Sequence, residues 1–220
     1  MEPLFDREER HTETPSRPSA PRSGFRWIPV RSLAARHRPR VLRHLLMLDE
    51  RDRYLRFGYA ASDAQVERYA EQLDFERDEV FGVFDRRLDL VALAHLAYLE
   101  PAPPVRPCAE FGVSVVKASR GRGYGERLFD HAALHARNRG IDMLLVHALS
   151  ENTAMLRIAR NAGARIVRDG PESEAWVQLA PENLVSHVEE LVEDRAAALD
   201  YRLKVQARRV DGRWSGRDRG

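Results

Sequence analysis

The chain has 220 residues, 43% of them apolar and 32% charged, with 36 basic against 34 acidic side chains and a formal net charge of +2, which suits one domain of ordinary size with a full core. That balance gives no reason to invoke nucleic acid, and lysine contributes to it only at Lys117 and Lys204. A single cysteine, Cys108, excludes an internal disulfide framework and leaves no cysteine cluster for zinc, so no metal is expected; no apolar run approaches the roughly 18 to 20 residues of a membrane span, and the chain reads as cytoplasmic, with no membrane partner.

Residues 1–24 hold Glu, Arg, Ser, Thr and four prolines with few large apolar groups. Such a segment cannot bury enough surface to offset its ordering entropy, and a disordered tail is expected. Residues 25–30 alternate enough for a first strand. Pro39 suits the first turn of a helix carrying Val41, Leu42, Leu45, Leu46 and Leu48. Ser62, three residues before Gln65, predicts an N-cap with a capping box, and Val66, Tyr69, Ala70 and Leu73 continue at helical spacing.

The period then changes. Residues 79–84 and 88–99 are apolar runs separated by Asp85-Arg86-Arg87 and read as a hairpin of the second and third strands. Pro101, Pro103, Pro104 and Pro107 form a stiff crossing to a fourth strand at 108–116. Arg120-Gly121-Arg122-Gly123-Tyr124-Gly125 follows and opens a helix over about 122–139 that ends at Gly140. Strand, glycine loop and helix N-terminus together form an anion cradle, because glycines admit close backbone approach and the helix presents unpaired N–H groups. The loop has no lysine for a Walker A motif, and neither Gly121 nor Gly123 starts a dinucleotide fingerprint, since the third position falls on Glu126 or Leu128.

Beyond the loop, residues 142–149 read as a buried strand, 152–161 as a helix ended by Gly163, and 165–168 and 174–179 as the last strands, with Trp176 in the core. Past Pro181, Leu184, Val188, Leu191, Ala198 and Leu199 recur among dense charge, which predicts a long amphipathic helix to about residue 209. That helix either packs back on the domain, the arrangement preferred here, or pairs two subunits. Residues 210–220 are expected to fray.

Arg120-x-x-Gly123-x-Gly125, Ala109-Glu110-Phe111 at the head of the preceding strand, and Leu149-Ser150-Glu151-Asn152-Thr153-Ala154-Met155-Leu156 after the next one occur in order at the right spacing. Together they resemble the GNAT superfamily of N-acetyltransferases, and within it the catalytic domain of Pat-type protein lysine acetyltransferases. The likeness is strongest over 109–164, and Arg53-Tyr54-Leu55-Arg56-Phe57 extends it over most of 25–180. The resemblance implies an α/β (α+β) fold: a mixed, mostly antiparallel sheet of about six to seven strands flanked by helices, splayed between the fourth and fifth strands. It implies an acetyltransferase domain at 25–180 between the tail at 1–24 and the C-terminal helix at 181–209, with a flexible end at 210–220.

It also implies acetyl-CoA as cosubstrate, a protein lysine or small-molecule amine as acceptor, and direct transfer in a ternary complex. In that reading Glu110 is the general base; a carboxylate heading an apolar strand is expected to be partly desolvated, and a paired rim glutamate is the alternative. Val115 and Val116, through their backbone, the loop Arg120, Gly121, Arg122, Gly123, Tyr124 and Gly125, and Asn152 would hold the cofactor; Asn152 is independently a helix N-cap. Ala159 stands where many family members carry an acid tyrosine, an absence the Pat-type branch shares. His95 and His147 are core or rim histidines first and alternative bases second. Cys108, on the strand face of Glu110, reads as a buried filler or an acetyl-carrying thiol. Tyr54, Arg53 and Arg56 either line the acceptor cleft or serve packing and ion pairs. The other functional class is a catalytically silent CoA-binding sensor or protein-interaction module.

Overall fold

The computed structural model describes residues 28–99, 107–180, 190 and 192–205. Seven strands form one sheet: β1 (Arg31–Leu33), β2 (Glu79–Phe84), β3 (Leu90–Tyr98), β4 (Cys108–Val115), β5 (Met143–Leu149), β6 (Arg165–Asp169) and β7 (Glu172–Gln178). Their order is β1-β2-β3-β4-β5-β7-β6. Every neighbouring pair is antiparallel except β4 and β5, which run parallel. No helix among the described residues is long and apolar enough to cross a membrane.

Helices α1 (Arg38–Leu46), α2 (Glu50–Phe57) and α3 (Asp63–Gln72) precede the hairpin; α4 (Tyr124–Asn138) crosses from β4 to β5, and α5 (Thr153–Asn161) from β5 to β6. The two sheet faces carry separate cores. Phe81, Phe111, Leu144 and Val146 pack with Leu128, Phe129 and Leu156 of α4 and α5, while Val80, Phe84 and Leu93 pack with Val41, Leu45 and Val66 of α1 and α3. Strands covered on both sides read as near-continuous apolar runs, as 79–84 and 90–98 do.

Local signals explain most boundaries. The Ser62 hydroxyl accepts from Gln65 N and Gln65 reaches back to Ser62 N, completing the expected box. Asp49 caps α2 through Asp52 N, and Gly58 closes it at φ 82°. Some expectations shift. The first strand is residues 31–33 rather than 25–30: Pro29 has no N–H for a ladder, and Ile28 and Val30 enter the core as extended chain, residues 25–27 lying outside the described residues. β3 starts at Leu90, because Leu88 sits at φ 64° in a turn whose Asp85 carboxylate accepts from Arg87 N and Asp89 N. α4 starts at Tyr124, after two left-handed glycines. Trp176 is half-buried outside both cores, donating to Glu174 on the β5–β7 face.

Residues 192–205 form a last helix, α6. The tails expected at 1–24 and 210–220, most of the proline-rich crossing and the remainder of the C-terminal helix lie outside the described residues. α6 packs in cis. Glu193 pairs with Arg127 at 2.6 Å, Ala197 is buried, Arg31 lies over the Tyr201 ring at 3.7 Å, and Lys204 donates to Phe84 O at 3.0 Å. Its outer side leaves Val192, Leu199 and Leu203 exposed.

His44 is the most deeply placed polar side chain beneath β4. Its Nδ1 lies 2.8 Å from Leu90 O and its Nε2 2.8 Å from Ser114 Oγ, tying α1 to β3 and β4. Burial pushes its pKa down to about 4; the Leu90 carbonyl opposes the shift and Arg56 adds to it. The unfolded chain therefore takes up a proton near pH 6.5 that the fold refuses until about 4. Stability is untouched above that window and falls with pH inside it, by up to about 1.4 kcal/mol per pH unit and about 3 kcal/mol in all. Urea midpoints measured from pH 7 to 4 should drop accordingly. His44→Asn should begin about 1 to 3 kcal/mol lower at pH 7 and lose less on acidification; an equally steep acid loss in that variant would contradict the assignment.

Candidate active site

β4 and β5 pair only through Cys108↔Met143, Ala109↔Leu144 and Glu110↔Leu145. Beyond Glu110 the strands part: β4 continues along β3 as far as Ala92↔Val115, and β5 along β7 as far as Leu149↔Glu172. The alternation of an antiparallel ladder decides which backbone groups face the gap. Leu99 N donates to Cys108 O and Val116 N to Val91 O, so the even-numbered residues of β4 are spent on β3. The odd-numbered ones turn toward β5, and past the fork Val113 and Val115 present their N–H and C=O groups to an open cleft.

That cleft has two adjoining parts. One, of about 530 Å³, runs from Val113 and Val115 to the glycine loop; the other, of about 400 Å³, holds Glu110, Gly112 and His147; Leu55, Arg56, Val113, Asn152 and Met155 line both. α2 bridges the fork from above. Arg51 forms a two-pronged pair with Glu151 at 3.1 and 2.6 Å, and Asn152 Nδ2 donates to Leu55 O at 3.3 Å. The Asn152 Oδ1 meanwhile accepts from Met155 N at 3.1 Å, so one amide caps α5 and ties it to α2.

At the loop, Gly121 and Gly123 have φ of 72° and 79°, and α4 begins without a side-chain cap. Its first-turn N–H groups have no intrahelical acceptors and remain available to an anion. Gly125 serves packing: a Cβ there would come 3.1 Å from Ile158 Cδ1 of α5. Arg120 braces the loop from within, donating from Nε to Val115 O at 3.2 Å and pairing with Asp52, which is only 7% exposed. Arg122 lies outside the cleft, near Ala118 O, and Val116 is outside it too. Orphan donors, two left-handed glycines and a long cleft ending at a helix N-terminus fit a ligand with a diphosphate at one end. Gly121, Gly123, Tyr124 and Gly125 would hold that end, and Val113 and Val115 the arm.

In the second part, the Glu110 side chain is 43% exposed, and its Oε1 is 3.4 Å from His147 Nδ1. The other ring nitrogen of His147 reaches Glu174 Oε1 at 3.3 Å, so three titratable side chains run from the fork to the surface. Arg56 fills the space above Gly112, where a Cβ would come 2.7 Å from its guanidinium carbon. Arg56 donates to the Tyr69 hydroxyl at 2.8 Å, Tyr69 is 2.9 Å from His95 Nδ1, and His95 Nε2 is 3.0 Å from Asp78. Burial lowers the His95 pKa despite Asp78, and Asp78 is itself held low because hydrogen bonds from Arg77 and His95 outweigh its desolvation. A neutral His95 thus donates from Nε2 to Asp78 and accepts the Tyr69 proton at Nδ1. This chain fixes Arg56; His95 itself does not line the cleft.

The remaining sequence candidates separate. Cys108 is buried, which pushes its thiol pKa up, as does nearby Glu110. It is a filler rather than a ready nucleophile. Ala159 is fully buried in the core. Arg53 is spent on Leu46 O, Leu48 O and Asp63. Sequence reasoning did not find Asp52 or Val113. The ladder's period of two held the signal for Val113: two backbone positions that share a side of a strand must be i and i+2, not the adjacent pair 115 and 116.

The Acetyltransferase (GNAT) family profile matches residues 42–164. No curated protein sequence matches the chain. Among solved structures, the GNAT domain of S. lividans PAT is similar with a TM-score of 0.58 and 23% identity, covering 68% of this chain and 89% of that one. An acetyltransferase of the GNAT family from Staphylococcus aureus Mu50 gives 0.55 at 13% identity, over 70% and 100%. yncA of Salmonella typhimurium, solved with its cofactor acetyl-CoA, gives 0.52 at 14%, over 70% and 94%. These likenesses establish the fold.

The loop geometry is open to a direct check. Gly123→Ala forces a side chain into φ 79° at the start of α4, a strain of about 1 to 2 kcal/mol. CoA affinity measured by calorimetry should fall about fivefold or more, while Gly140→Ala, equally left-handed but at the far end of α4, should leave it unchanged. Equal affinity in the two variants would detach the loop from the anion.

Proposed function

We propose that this chain, which belongs to the GNAT family of acetyltransferases, carries an acetyl group from acetyl-CoA to a primary amine with Glu110 as general base. The observation that carries this reading is the place of Glu110: its carboxylate stands at the last paired residue before β4 and β5 part, facing a cleft continuous with the glycine loop. When bound, acetyl-CoA supplies the acetyl group as a thioester; the chain's own residues orient it and move protons.

An alkylammonium with a pKa of about 10.4 must lose a proton before it can attack. Glu110 accepts that proton, and His147 and Glu174 behind it offer a way out to solvent. N–H groups of Val113 and Val115 face the fork, where they hold the pantetheine arm and stabilise charge developing on the carbonyl oxygen. Arg56, locked by Tyr69 and His95, narrows the passage between the two halves. With Ala159 where an acid tyrosine would stand, the departing thiolate takes its proton from water. Glu172 joins Glu110 at the acceptor end, and two carboxylates suit a cationic amine, whether a protein lysine or a small molecule. The single cysteine supports a cytoplasmic setting.

The test is release of free CoA thiol from acetyl-CoA against lysine peptides, polyamines, amino sugars and amino acids, with CoA binding followed by calorimetry. Turnover with one acceptor group is expected. Glu110→Gln should keep CoA affinity within about twofold and lose roughly 10²- to 10³-fold in turnover near pH 7. Unchanged activity of that variant at every pH would remove Glu110 from the mechanism, and tight CoA binding without turnover on any amine would replace the enzyme with a sensor or interaction module.

A further inference from the structure

α4 meets α6 at a cluster of side chains that acyl transfer does not use. His131 and His135 stand one turn apart on α4, so both rings leave the helix on one face, and both are buried. Asp194 of α6 lies opposite, and one ligand atom from each of the three residues is within 4.8 Å of the other two.

The Nδ1 atoms are already engaged. His131 Nδ1 is 2.8 Å from Glu193 Oε2, and His135 Nδ1 is 3.0 Å from Glu79 Oε2 and 3.4 Å from Glu190 Oε1. A carboxylate only accepts, so each ring places a hydrogen on Nδ1, and a ring without a second proton turns a lone pair outward at Nε2. Both Nε2 atoms are buried, and neither has a hydrogen-bond partner among the described residues. Orphaned polar atoms in a protein interior are costly. Two such atoms beside a carboxylate call for an electropositive partner.

We propose that His131, His135 and Asp194 form a binding site for a first-row divalent transition ion, zinc being the best match, that clasps α6 onto α4. Two imidazoles and one carboxylate are a donor set suited to such an ion, and half-buried Asp194 leaves a further position open to water. A carboxylate behind each imidazole is the outer-shell arrangement that fixes the tautomer and raises ligand basicity. Arg127 balances Glu193 and Arg139 balances Glu79, while Glu190 and Asp194 add negative charge that a dication would offset. Ligand atoms about 2.0 to 2.2 Å from a tetrahedral ion stand roughly 3.3 to 3.6 Å apart, so binding draws the three residues inward and tightens the α4–α6 contact. None of the three residues lines the acyl-transfer cleft.

The experiment uses the full chain stripped with a chelator and dialysed. Zn²⁺ is titrated by calorimetry, Co²⁺ by its visible absorption, and the unfolding temperature is recorded with and without Zn²⁺. One equivalent per chain, a raised unfolding temperature and a low-coordinate Co²⁺ spectrum are expected. Asp194→Asn, on the more exposed partner, should keep the fold by circular dichroism and lose at least about tenfold in Zn²⁺ affinity, as should His135→Gln; Glu193→Gln should lose about 10- to 100-fold. Asp200→Asn, on the same helix outside the cluster, should bind as wild type. Absence of stoichiometric binding to the wild-type chain, or wild-type affinity in Asp194→Asn and in His135→Gln, would overturn the proposal.

Discussion

The structure depends on a hydrogen-bond ladder that stops. β4 and β5 share three residue pairs and then diverge, although each continues with its outer neighbour. A buried backbone N–H or C=O left without a partner is expensive, so an opened parallel pair persists only where something else meets the freed groups. Here one of them, Val115 O, accepts from Arg120, and α2 spans the gap through Leu55 and Asn152. The rest face a cleft wide enough for an extended ligand with hydrogen-bonding groups of its own.

Holding that fork open takes polar scaffolding on the face of β4 toward α1, α2 and α3. Ser114 is tied to α1 by His44, Gly112 leaves room for Arg56, and Arg56 is fixed by the Tyr69–His95–Asp78 chain. Asp52 fixes Arg120 from the first turn of α2. Each buried polar group is matched, so the network stiffens the site. The opposite face of β4 is apolar, with Phe111 packed edge-on against Phe129 of α4. One strand therefore joins a hydrophobic core that gives stability to a hydrogen-bonded layer that gives shape.

The sequence made the architecture legible wherever local chemistry sets the boundary. The Ser62–Gln65 box, Gly140 after α4 and the Asn152 cap all act within a few residues, and the apolar runs of the sheet carry their own period. What it did not reveal depends on contacts far apart in the chain. The Arg120–Asp52 pair and the Arg56 chain join residues from distant segments, whereas the alternation that leaves Val113 and Val115, and not Val116, facing the fork was implicit in the strand's period of two. Glu110 was singled out by its motif and His147 only as a core or rim histidine or an alternative base; that the two lie side by side was not legible, since only the register of β5 brings them together. The histidines of α4 stayed hidden in the same way, because their partners lie on α6.

Acyl transfer at Glu110 requires the fork to be the route of the cofactor. A crystal structure of the chain with bound CoA tests this most directly. It should show the diphosphate against the backbone N–H groups of residues 121–125 and the pantetheine arm between β4 and β5, its thiol end reaching toward Glu110. Density for CoA elsewhere, or strands zipped together beyond Glu110, would contradict it.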